Sequence, residues 1–116
     1  MKREEILKKW DKVSSTRKNI WVSEIVFNHP VRRVDWIGYF ASDKEDDREY
    51  TLPSYSDNMS TAWKVVEQIR ADAPPVRNAF KAMLGVDIFQ LDPDLICRSA
   101  ILAVLEDINL PGEETE

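Results

Sequence analysis

The chain has 116 residues, of which 43% are apolar and 32% charged, enough for one globular core and too few for a cofactor domain with a separate substrate domain. Sixteen Lys or Arg against twenty-one Asp or Glu leave a net charge of −5, which argues against a broad phosphate-binding surface. Residues 1–19 nevertheless carry seven bases against three acids, whereas residues 106–116 carry five acids and no base. The single cysteine, Cys97, cannot close an internal disulfide, which suits a reducing compartment. No apolar run approaches the ~18 residues of a spanning helix, and no apolar stretch follows the first lysines, so a cytoplasmic protein is expected.

Taken in order, Ile6, Leu7, Trp10 and Val13 fall at helical spacing among lysines, predicting an amphipathic helix over residues 2–13 whose apolar face must dock to persist. Residues 20–27 favour a strand by their β-branched and aromatic content, although Trp21, Val22, Ile25 and Val26 also share a helical face. Val34, Trp36 and Gly38 alternate with Asp35, Ile37 and Tyr39, which reads as one strand ending at Phe40. A charged turn over 43–49 and a partner strand over 50–52 complete a hairpin with a loop of about seven to nine residues.

Ser56 is positioned to cap a helix carrying Met59, Ala62, Trp63, Val66 and Ile69 on its inner stripe, which makes Trp63 a core residue. Ala73-Pro74-Pro75 ends that helix and opens another, carrying Val76, Ala79, Phe80, Met83 and Leu84, that stops at Gly85. Residues 86–91 read as a short strand. Asp92 then caps and Pro93 begins a helix running to Asn109, apolar on nearly every side. Such a helix is either the central one of the domain or lies partly under a second subunit, which would make the protein a homodimer.

Two runs carry a family resemblance. Leu52-Pro53-Ser54-Tyr55-Ser56-Asp57-Asn58-Met59-Ser60-Thr61-Ala62-Trp63-Lys64-Val65-Val66-Glu67 and, later, Leu95-Ile96-Cys97-Arg98-Ser99-Ala100-Ile101-Leu102-Ala103-Val104-Leu105-Glu106 resemble the phage ABA-sandwich domain family. Its members are small bacteriophage and prophage proteins with a sheet between helical layers and no assigned biochemical activity. Arg3-Glu4-Glu5-Ile6 resembles the family's opening, and Val22-Ser23-Glu24-Ile25-Val26-Phe27 its next helix, so the resemblance implies a helix over 17–27 in place of a strand. The family has two strands before its last helix, where this chain reads as a helix up to Gly85 and a single strand over 86–91. The expected fold is therefore α+β: one domain over 1–110, a small three-layer α/β/α sandwich with a short, mainly antiparallel sheet of about three strands. An acidic, disordered tail is expected over 111–116.

Few residues suggest chemistry. His29 is the only histidine and has no close-spaced ligand partner, so a loop or capping role outweighs a metal site. Cys97 sits among Ile96, Ala100 and Ile101 and reads as packed rather than nucleophilic. The acids between Asp43 and Glu49 lack the glycine and spacing of a calcium loop, and Gly38, Gly85 and Gly112 provide no phosphate-binding loop. No catalytic residue, metal or cofactor is expected. Trp10 and Trp21, near the basic end, and Tyr55 and Asp57, beside a helix start, are the candidate partner-binding residues. Trp36, Tyr39 and Phe40 after Arg32 and Arg33 resemble a base-stacking platform, but Asp35 and Asp43 weaken it and nucleic acid is not expected. The leading expectation is a non-enzymatic phage or prophage accessory protein in the bacterial cytoplasm, binding itself or an unidentified phage or host protein. A small-ligand-binding protein is the alternative, followed by a nucleic-acid binder.

Overall fold

The computed structural model describes residues 3–85 and 91–108, with side chains through residue 105. The fold is α+β, and the described residues form five α-helices and a short three-stranded antiparallel sheet. Helix α1 (Arg3–Lys9) tightens into a 3-10 turn over Trp10–Lys12, and its Ile6 and Trp10, one turn apart, are both buried. Ser14 accepts the Arg17 N–H at 3.2 Å and so caps α2 (Ser15–Trp21).

The helix continues through Val22–Val26 as a π turn capped by Phe27, so the helix expected over 17–27 forms as far as Val26 despite its strand propensity. Burying Trp21, Val22 and Val26 against the last helix outweighs that propensity. The wide turn is pinned at its exit by a reciprocal pair: the Ser23 hydroxyl donates to the His29 carbonyl at 2.8 Å, and the His29 N–H donates to the Ser23 carbonyl at 2.9 Å. Asn28, with φ +59, takes the left-handed conformation that reverses the chain between them.

The single strand expected to end at Phe40 is two strands. Strands β1 (Val31–Val34) and β2 (Gly38–Asp43) pair antiparallel with Val34 opposite Gly38, and residues 35–37 form the turn between them. The Ile37 N–H closes that turn on the Val34 carbonyl at 3.0 Å. Trp36 has φ +73 and Gly38 φ +133, and a glycine at the second position lets the chain fold back where alternation alone predicts continuation. Strand β3 (Arg48–Thr51) pairs with β2, Phe40 facing Thr51, across a loop of only four residues, 44–47, rather than the seven to nine expected. Asp43 tightens it by accepting the Glu45 and Asp46 N–H groups, and Asp47 has φ +49.

Helix α3 (Met59–Arg70) is capped by Asn58, whose side chain accepts the Thr61 N–H at 3.0 Å, and not by Ser56. Ser56 is buried instead, donating both its N–H (2.8 Å) and its hydroxyl (2.9 Å) to the Asn19 side-chain oxygen. The inner face of α3 is Ala62, Val65 and Ile69; Trp63 is 52% exposed and Met59 faces outward too. A stripe of Ala and branched residues lets α3 lie close to the last helix, whereas the indole of Trp63 on that face would hold it off. The expected core role of Trp63 is therefore overturned.

Helix α4 (Pro74–Leu84) starts on two prolines, buries Val76 and Phe80, and ends at Gly85 with φ +51. The expected strand over 86–91 and tail over 111–116 lie outside the described residues, apart from Leu91, which belongs to no strand. Asp92 accepts the Leu95 N–H at 2.8 Å and Pro93 opens α5 (Pro93–Ile108). Ile96, Cys97, Ala100, Ile101, Leu102, Ala103 and Leu105 are all buried, with α1, the π turn, α3 and α4 packed around them. Enclosure within one chain accounts for the all-round apolar character of α5.

Cys97 lies inside this packing, and burial, reinforced by Asp94, pushes its thiol up to about 12. The native fold thus holds the thiol proton more tightly than the unfolded chain, where it leaves near pH 9. The resulting stability is complete below about pH 9 and is lost as pH rises toward about 12. Urea midpoints should fall between about pH 8 and about pH 11, and fall less steeply in Cys97→Ala. Equal slopes in the two proteins would assign the alkaline loss to other groups.

Candidate functional site

The four residues singled out by sequence do not form a surface. Trp10 and Trp21 are stacked inside the protein, ring centroids 6.1 Å apart, and Trp10 is 1% exposed. The Trp10 indole N–H donates to Asp94 at 2.9 Å, while the Lys18 ammonium lies 4.9 Å from the Trp10 ring centroid and pairs with Asp94 at 2.7 Å. These indoles join the N-terminal helices to α5 and are buried within the chain. Tyr55 is 2% exposed and stacks on Phe27 at 5.2 Å. Burial, then the neighbouring Tyr50 phenol, holds its hydroxyl far above the usual tyrosine range. Asp57 alone is on the surface, where it accepts from the Ser15 hydroxyl at 3.2 Å.

The exposed aromatic surface is elsewhere. Trp36, at the tip of the β1–β2 hairpin, is fully exposed (103%), with Ile37 exposed beside it. Arg33 and Asp35 flank the tip and approach to 3.8 Å. Farther along β1, Arg32 makes a two-pronged contact with Glu49 of β3, at 2.6 and 2.8 Å, bracing the sheet across β2. The hydrogen-bonded guanidinium lowers the Glu49 carboxyl below its ordinary range and is itself raised. A second apolar area lies on α3, where Met59, Ser60 and Trp63 line an open cleft of about 460 Å³ with Leu91.

Sequence reasoning also missed what surrounds His29. Its Nδ1 lies 2.7 Å from the Tyr50 hydroxyl and its Nε2 3.7 Å from Asp43. The phenol thus meets one ring nitrogen of His29 and the carboxylate faces the other. The ring separates two depressions. One, of about 460 Å³, is lined by Asn28, Pro30, Asp43 and Gln68; the other, of about 320 Å³, by Arg48, Tyr50, Tyr55 and Lys64, and Phe27 borders both. His29 and Tyr50 are 21 positions apart, and only the strand register brings them together. Among the described residues no three His, Cys, Asp or Glu side chains gather where a metal could bind, and no helix is long and apolar enough to cross a membrane. The chain matches no protein-family model, no curated protein and no solved structure.

Proposed function

We propose that this is a non-enzymatic phage or prophage accessory protein that works in the bacterial cytoplasm by binding another protein, with the Trp36–Ile37 tip as its principal contact. The carrying observation is Trp36 itself: a fully exposed indole on a backbone with φ +73. Exposure forgoes the transfer energy of a large apolar side chain, and a left-handed non-glycine residue costs roughly 1–2 kcal/mol. Two unfavourable features at one residue are accounted for if the indole enters an apolar pocket of a partner, as tryptophans at interface centres do. The outward Trp63 and Met59 supply a second apolar contact. The resemblance of the α3 and α5 segments supports the phage assignment.

A photoreactive residue at position 36, used in living bacteria, should give one discrete adduct that is absent with the same residue at Asn78, exposed on α4. Identical adduct patterns at the two positions would defeat the reading. Trp36→Gly should separate stability from binding. It should raise folding stability by about 1 kcal/mol, measured by urea denaturation, and weaken the captured partner by roughly 30-fold, as loss of a central interface tryptophan does. A variant that is both less stable and undiminished in binding would show that Trp36 serves the fold.

A further inference from the structure

The cleft on the Tyr50 side of His29 has properties separate from the hairpin tip. Its walls are aromatic: Phe27 stacks on the buried Tyr55 with rings 19° from parallel, and Tyr50 stands edge-on to His29 at 5.9 Å. Its charged lining is basic. Lys64, from the exposed side of α3, makes no hydrogen bond or ion pair among the described residues, and Arg48 lies 5.8 Å from the Tyr50 ring centroid. Among the described residues no carboxylate lines this cleft; Asp43, which approaches Arg48 at 3.7 Å, lines the depression on the other side of His29. Pro53 also lines it, without a backbone N–H to donate.

The ring positions are fixed before anything binds. The hydrogen bond between Tyr50 and His29 sets the phenol, the Ser23–His29 pair sets the histidine backbone, and the Phe27–Tyr55 stack sets the remaining aromatic lining. At about 320 Å³ the space lies at the lower end of small-molecule sites. The geometry points to a binding site for a small aromatic anion, a flat ring carrying one carboxylate or phosphate, with the ring between Phe27 and Tyr50 and the anion toward Lys64 and Arg48. Stacking selects the ring, and the two cations select its charge.

Titration of the ¹⁵N-labelled full chain tests this, with benzoate and phenyl phosphate as probes and benzamide, acetate and inorganic phosphate as comparators. Both aromatic anions should shift the amides of Tyr50, Tyr55 and Lys64 saturably, with a dissociation constant of ~10 mM or tighter. Whichever binds more tightly identifies the preferred anionic group. Lys64→Ala should weaken the better probe about fivefold and Lys64→Glu further, each with an otherwise native spectrum, while Trp36→Gly should leave it unchanged. Benzamide matching benzoate would overturn the role of charge, and acetate or phosphate matching them would overturn the role of the ring. Unchanged affinity in Lys64→Glu, or no saturable shift, would overturn the site, in each case without bearing on the hairpin tip.

Discussion

Trp10→Ala should destabilise the protein by about 3–5 kcal/mol, against about 0.5 kcal/mol or less for Trp63→Ala. Trp10 stacks on Trp21, donates to Asp94 and lies beneath the Lys18 ammonium, so its removal opens a cavity where α1, α2 and α5 meet. Asp94 retains Lys18, which limits the electrostatic part of the loss. Most of the damage is therefore lost packing. A domain of this size has only about 5–15 kcal/mol in total, so the variant should be largely unfolded or insoluble at 37 °C. Trp63 is half exposed, and its truncation leaves Ala62, Val65 and Ile69 in place. Urea denaturation of the two variants decides the matter: equal losses, or the larger loss at Trp63, would invert the assignment of the α3 face.

The second large effect should come from a residue with no apolar role. Asn19 accepts two hydrogen bonds from Ser56, one from its backbone and one from its hydroxyl, and both residues are buried. Asn19→Ala leaves two donors without that acceptor, a loss of about 1–3 kcal/mol. Ser56→Ala removes one donor and should cost less. The double variant should lose less than the sum of the singles by more than ~0.5 kcal/mol, because the lost contact is shared. Strict additivity would mean that Asn19 contributes through local helix geometry and not by holding the segment ahead of α3.

These cases show where the sequence was legible. Signals contained within a few residues were readable: Asp92 and Pro93 at the start of α5, the prolines opening α4, and Gly85 at its end. Where two local patterns competed, the outcome depended on distant neighbours. Met59–Trp63 and Ala62–Val65–Ile69 are both acceptable helical stripes, and the close approach to α5 selects the second. Trp36 has the strand preference of any tryptophan, and its left-handed turn arises from pairing on either side. The candidate site was least legible of all. Trp10 and Trp21 look alike as free anchors or buried packing until the partner ring is known, and His29 acquires its neighbours through residues on two strands.

The central position of α5 also governs how the protein can be made. Every described helix packed on it precedes it in the chain, so Ile6, Trp10, Val22, Val65 and Ile69 leave the ribosome without the surface that will cover them. At ~5–20 residues per second, these side chains remain uncovered for seconds, until the segment from Pro93 onward has been synthesised. Folding is thus delayed until α5 has been made, and until then the nascent chain exposes apolar surface of the kind that chaperones bind. A messenger truncated before Pro93 should yield a proteolysis-prone product, even though four of the five described helices and the three described strands are encoded in it.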